Sequence, residues 1–109
     1  MNSKYHNKVV HIEGMRFDSK KEARRYATLM LLEKADAIRD LQRQVKFELI
    51  PKQEGERACY YKADFTYYEL NQNGEWEYVV EDSKGARTDA YKIKRKLMQY
   101  VHKIKIRET

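Results

Sequence analysis

Tyr78-Val79-Val80-Glu81-Asp82-Ser83-Lys84-Gly85 starts as a β-strand and ends on two acids, a serine and a lysine before glycine. Side chains alternate across a strand, so Tyr78, Val80, Asp82 and Lys84 share one face and Val79, Glu81 and Ser83 the other. The preceding run, Cys59 to Tyr68, is rich in β-forming residues, and its odd positions 59, 61, 63, 65 and 67 form one apolar face. Gln72-Asn73-Gly74 between the two runs is a turn signal, which makes them a hairpin.

The length of that turn decides which acids meet. A three-residue loop with Gly74 in the left-handed position pairs Asn71 with Glu75 and sets Asp64 across from Asp82. A two-residue turn at Asn73-Gly74 would set Asp64 across from Ser83; the bulged three-residue loop is the preferred reading. Facing carboxylates repel unless a positive charge lies between them, and a divalent cation answers this. Mg²⁺ suits such a site because it takes a few carboxylate oxygens and keeps several waters. The competing reading of Glu81-Asp82 and Lys84 is a charged edge that prevents sheets from aggregating.

Outward from the hairpin the chain alternates between the two periodicities. Residues 8–17 carry two short β-like runs around Glu13-Gly14. From Asp18 to about residue 35, Ala23, Tyr26, Ala27, Met30 and Leu31 recur at helical spacing and predict an apolar helical stripe. Ile38 and Leu41 close a connection, and Gln44 to Ile50 alternates as a strand up to Pro51. Thr88 is a candidate N-cap for a second helix with Ala90, Ile93, Leu97, Tyr100 and Val101 on one side, and Lys103 to Arg107 alternates as a short edge strand. The order predicts an α/β domain spanning 1–109, with helices covering a mixed, mostly antiparallel sheet.

Composition narrows the function classes. Formal net charge is +6, and residues 84–109 hold nine of the 23 Lys and Arg but two of the 17 Asp and Glu. A basic end on a near-neutral body suits a polyanion such as nucleic acid; the alternative is a merely solvated helix face. Lys92, Lys94, Arg95 and Lys96, with Arg87, are the candidate backbone contacts. Gln44 is a further candidate, and Tyr91 is the tyrosine proposed to stack on a base. Tyr26, Tyr61, Tyr67 and Tyr100 sit at core-periodic positions. No apolar run approaches a membrane span and no signal peptide is visible, so a cytoplasmic protein is expected. Cys59 is the single cysteine and the three histidines lack zinc spacing. The small core leaves room for a homodimer.

Asp64 near one strand end, then Asp82-Ser83-Lys84 on the next, after a helix opening Phe17-Asp18-Ser19-Lys20-Lys21-Glu22-Ala23-Arg24-Arg25-Tyr26, resembles the PD-(D/E)XK nuclease superfamily, the restriction-endonuclease-like fold. The segments KYHNKVV, FDSKKEARRY, QVKFELIP, ADFTYY and VVEDSKG look like a family of short phage and prophage proteins of uncharacterised function assigned to that superfamily. The likeness runs from Lys4 to about Glu108, and Ala63 stands where the nominal motif has proline. It implies a Mg²⁺-dependent DNA endonuclease, with Mn²⁺ as a substitute. Asp64, Asp82 and the Ser83 carbonyl are then metal ligands, Lys84 the catalytic lysine, and Glu22 the acid of the first helix. Size, basicity and the phage-like kinship point to branched or duplex DNA as the substrate. Glu22 also completes a capping box with Ser19, and one rotamer cannot fill both roles. A non-cutting DNA-binding module of the same fold is the alternative function, and a basic helix binding an acidic partner is a third.

Overall fold

The computed structural model describes residues 9–83 and 87–109. Glu13 and Gly14, with φ of 51° and 80°, close a tight hairpin between β1 (Val10–Ile12) and β2 (Met15–Phe17). Positive φ at both central residues matches the right-handed twist of the flanking strands. The chain then enters α1 (Lys20–Lys34), where the Ser19 hydroxyl accepts from the Glu22 amide at 3.1 Å.

Three antiparallel strands follow: β3 (Ile38–Ile50), β4 (Cys59–Leu70) and β5 (Trp76–Asp82). After α2 (Asp89–His102), β6 (Arg107–Glu108) returns parallel to β5, giving the order β3-β4-β5-β6. The α/β class with two helices and a mixed, mostly antiparallel sheet is therefore as expected. β3 is longer than its alternating segment. It starts at Ile38 and absorbs left-handed Asp40 (φ 55°) and Gln44 (φ 56°), with a register shift between Arg39 and Gln42. β6 is shorter than predicted, because Lys103 takes a left-handed φ of 60° as the C-cap of α2.

The β4–β5 turn is the three-residue loop. Asn71 N donates to Glu75 O at 2.8 Å, Gly74 has φ 78°, and the Asn71 side chain accepts from the Asn73 and Glu75 amides. The ladder accordingly pairs Phe65 with Glu81 and Leu70 with Trp76.

Two apolar clusters hold the layers together. Leu29, Ile38, Phe65, Tyr67 and Val79 form one, on the α1 side; Leu49, Tyr61, Ala63, Val80, Tyr91 and Met98 belong to the other, on the α2 side. The odd positions of β4 thus do not share one apolar surface. The change falls between Ala63 and Phe65, level with left-handed Gln44, which sits between the pairs Arg43↔Phe65 and Val45↔Ala63 and breaks the regular alternation.

Both helices are also turned away from their predicted stripes. In α1, Leu29 is buried while Met30 and Leu31 are 40% and 68% exposed; in α2, Tyr91 and Met98 are buried while Ile93 and Tyr100 are 58% and 75% exposed. Ionic partners set the roll. Arg25 must face the sheet to reach the fully buried Glu81, and Tyr91 and Arg95 must face Glu108. Leaving a buried carboxylate unpaired costs more than the roughly 2 kcal/mol of exposing one aliphatic side chain.

Candidate functional site

Asp64 lies in β4 and Asp82 ends β5. The β4–β5 ladder ends at Phe65↔Glu81, and the two aspartates are the residues that adjoin this last pair, one on each strand. Both are buried, at 5% and 1% exposure. Each carboxylate is held by its own donors: Asp64 Oδ2 accepts from Ser83 N at 2.8 Å and Ser83 Oγ at 3.2 Å, and Asp82 Oδ2 accepts from the Tyr61 hydroxyl at 2.7 Å. Burial pushes the Tyr61 phenol well above its ordinary pKa, and the charges of Asp82 and then Asp64 add to this. Both carboxylates therefore lie within electrostatic reach of one hydroxyl.

Glu22 lies on α1 and does not converge with the two aspartates as a three-acid cluster. Its amide is capped by Ser19, but its buried side chain turns to β3, where Gln44 Nε2 donates to Glu22 Oε2 at 3.0 Å and Arg43 Nη2 lies 3.7 Å away. The capping box is thus only half used: Ser19 serves the helix end, and the carboxylate faces the sheet. Gln44 reaches it because its left-handed backbone redirects a side chain that a regular strand would aim elsewhere.

Among the described residues, no three carboxylate, imidazole or thiol groups converge as a metal cluster. The donor set at Asp64 and Asp82, two hard carboxylates with the Ser83 carbonyl adjoining in sequence, is of the kind Mg²⁺ accepts when it keeps several waters. Lys84 lies outside the described residues.

On the other face of β5, Glu81 is not part of this site. Arg25 donates to it through Nε at 2.7 Å and Nη2 at 2.9 Å, and the Tyr67 hydroxyl donates at 2.6 Å. Burial and that bond to Glu81 push the Tyr67 phenol up to about 12.

The expected nucleic-acid contacts divide. Tyr91 is buried, with its hydroxyl donating to Glu108 at 2.7 Å, so its ring packs in the core. Arg87 and Arg95 both pair with Glu108, at 3.1 and 2.9 Å. The Tyr91 bond, with Arg95 and Arg87, pulls the Glu108 carboxyl down to about 2. Lys92 and Lys96 are exposed and Lys94 is half-buried. Sequence reasoning missed Arg43 and Tyr61. Arg43 gave no signal, and regular alternation puts Tyr61 on the face away from Asp82, so only the break in β4 opposite Gln44 brings it there.

The family model described as "Protein of unknown function (DUF1064)" matches residues 2–108. Nothing among curated proteins or solved structures matches the chain. Among the described residues, no helix is long and apolar enough to cross a membrane.

Proposed function

We propose that the chain, which belongs to the DUF1064 family, is a metal-dependent DNA endonuclease of the restriction-endonuclease-like fold, acting on duplex or branched DNA. The observation that supports this reading is that Asp64 and Asp82 are both buried at the end of the β4–β5 ladder, Asp64 bonded to the amide and hydroxyl of Ser83 and Asp82 to the Tyr61 hydroxyl. Two buried hard carboxylates with the Ser83 carbonyl adjoining in sequence are a donor set of the kind a divalent cation takes.

Asp64 and Asp82 would hold Mg²⁺ or Mn²⁺ with the Ser83 carbonyl. When bound, the ion supplies Lewis-acid charge at a phosphodiester. The chain's own residues supply order. The Ser83 amide and hydroxyl fix the Asp64 rotamer, and Tyr61 fixes that of Asp82. Gln44 keeps Glu22 turned toward β3. Lys84, two residues after Asp82, is the proposed group for orienting the attacking water and offsetting the charge that develops on the phosphorane-like transition state.

The test is incubation of linear, supercoiled, single-stranded and four-way-junction DNA with Mg²⁺, Mn²⁺ or EDTA. Metal-dependent cutting that disappears in Asp82→Asn and Lys84→Ala is the expected result. Tight binding with no cutting under any metal would overturn the enzyme reading in favour of a binding module.

A further inference from the structure

A cavity of about 320 Å³ opens beside Glu22, lined by Arg16, Asp18, Glu22, Arg43, Gln44 and Lys62. Three of these six are cations, drawn from β2, β3 and β4. Arg43 is the most constrained of them. Its guanidinium lies 4.0 Å over the Phe17 ring and 5.6 Å from that of Tyr26, and Nη2 donates to the Arg16 carbonyl at 2.8 Å. Its Nε is the buried side-chain nitrogen or oxygen that, among the described residues, has no hydrogen-bond partner. Buried donors are nearly always paired, and an orphan on a guanidinium held in place by aromatic rings calls for an acceptor.

The other two cations are accessible. Arg16 pairs with Asp18 at 3.0 Å, both largely exposed, and such a pair is held weakly enough to exchange partners. Lys62 is exposed on β4, two residues before Asp64. The arginines at the start and middle of α2 differ, since Arg87 and Arg95 are engaged by Glu108.

We infer that this cavity is a phosphate-binding subsite for a polynucleotide backbone, with Arg43 as its anchor and Arg16 and Lys62 as flanking charges. The identity of the ligand as a polynucleotide rests on the nuclease reading; the preference for a phosphate group rests on the cavity itself. Guanidinium matches tetrahedral oxyanions through paired N–H donors, and the planar stack on Phe17 leaves its edge to do so. Substrate then approaches Asp64 and Asp82 from the β2–β3 side, not along α2.

The experiment is fluorescence anisotropy of a short labelled duplex in EDTA over a range of salt. Arg16→Ala/Lys62→Ala, two exposed changes, should weaken binding about 10-fold or more and make the log–log salt slope shallower by about two. Arg43→Lys, which keeps charge but loses the fork, should also weaken binding while the thermal midpoint stays near that of the parent. Lys92→Ala/Lys96→Ala should weaken binding less than the Arg16/Lys62 change does. Parental affinity in the Arg16/Lys62 variant, or a larger loss in the α2 variant, overturns the subsite, as does failure of the parent to bind the duplex. Duplexes with a 5′-phosphate or a 5′-hydroxyl separate a terminal phosphate from an internal diester. Metal-dependent cutting with no effect of these cations would sink the subsite alone, whereas Arg43-dependent binding without any cutting would sink the nuclease reading alone.

Discussion

Arg25 of α1 holds both carboxylate oxygens of Glu81 on β5, at 2.7 and 2.9 Å, and Glu81 is fully buried. This pair fixes how α1 is rolled on the sheet. It therefore also fixes where Glu22 points, since residues three apart lie on one helix face. Arg25→Ala leaves the buried carboxylate with hydroxyl donors alone and should cost about 3–5 kcal/mol. Arg25→Met combined with Glu81→Leu should recover most of that loss, because a well-packed apolar pair dispenses with the desolvated charges. Urea midpoints of the three proteins measure this, and a single variant as stable as the parent would refute the account.

Asp82 is the proposed metal ligand whose part in binding can be read from stability. Asp82→Asn keeps an acceptor for the Tyr61 hydroxyl while removing a charge. Adding Mg²⁺ should then raise the parent's stability, by about 1.4 kcal/mol at ten times the dissociation constant, and leave Asp82→Asn unmoved. Calorimetry with and without the ion distinguishes this from ordinary salt effects, which would act on both proteins alike. A metal response of equal size in the two proteins counts against Asp82 as a ligand.

Glu108 provides a pH handle away from the aspartates. Its carboxyl is held at about 2, below the ordinary 4.5, first by the Tyr91 hydroxyl and then by Arg95 and Arg87. A depressed folded-state pKa means that the stabilisation is fully present above about 4.5 and disappears as pH falls toward 2. Glu108→Gln should thus lower the thermal midpoint at pH 6, and the gap between variant and parent should narrow steadily from pH 4.5 to 2. A gap that stays constant through that window would show that the ionised carboxylate contributes nothing.

Much of this architecture is legible in the residues themselves. Gln72-Asn73-Gly74 specifies its loop through a glycine that can take positive φ and an asparagine that caps the backbone, so the hairpin register follows from local chemistry. The helices are visible for the same reason, through Ser19 and Thr88 at their starts. Their orientation was not. The apolar stripes of both helices are wide, and the choice of which edge packs is made by Glu81 and Glu108, whose partners lie 56 and up to 21 positions away in sequence. The left-handed turn of Gln44 is equally invisible, because only the paired strand and Glu22 stabilise it. Long-range ionic contacts, in short supply of any local signature, thus decided what periodicity left open.

Ser19 and Glu22 allow the two roles predicted for one side chain to be separated. The Ser19 hydroxyl accepts from the Glu22 amide, whereas the Glu22 carboxylate turns to Gln44. Ser19→Ala removes the cap and should cost about 1 kcal/mol of stability. It should leave metal-dependent cutting within about twofold of the parent, a change worth less than about 0.5 kcal/mol in the barrier. Glu22→Gln keeps shape and hydrogen bonding to Gln44 but removes the charge, so the fold should hold while cutting falls about tenfold or more, roughly the worth of a misplaced supporting group around a metal. Thermal midpoints and single-turnover rates of both variants check the division. If Ser19→Ala also abolished cutting at a temperature where it is fully folded, or if Glu22→Gln cut at the parental rate, the inward turn of the carboxylate would be a packing feature of α1 with no part in the chemistry.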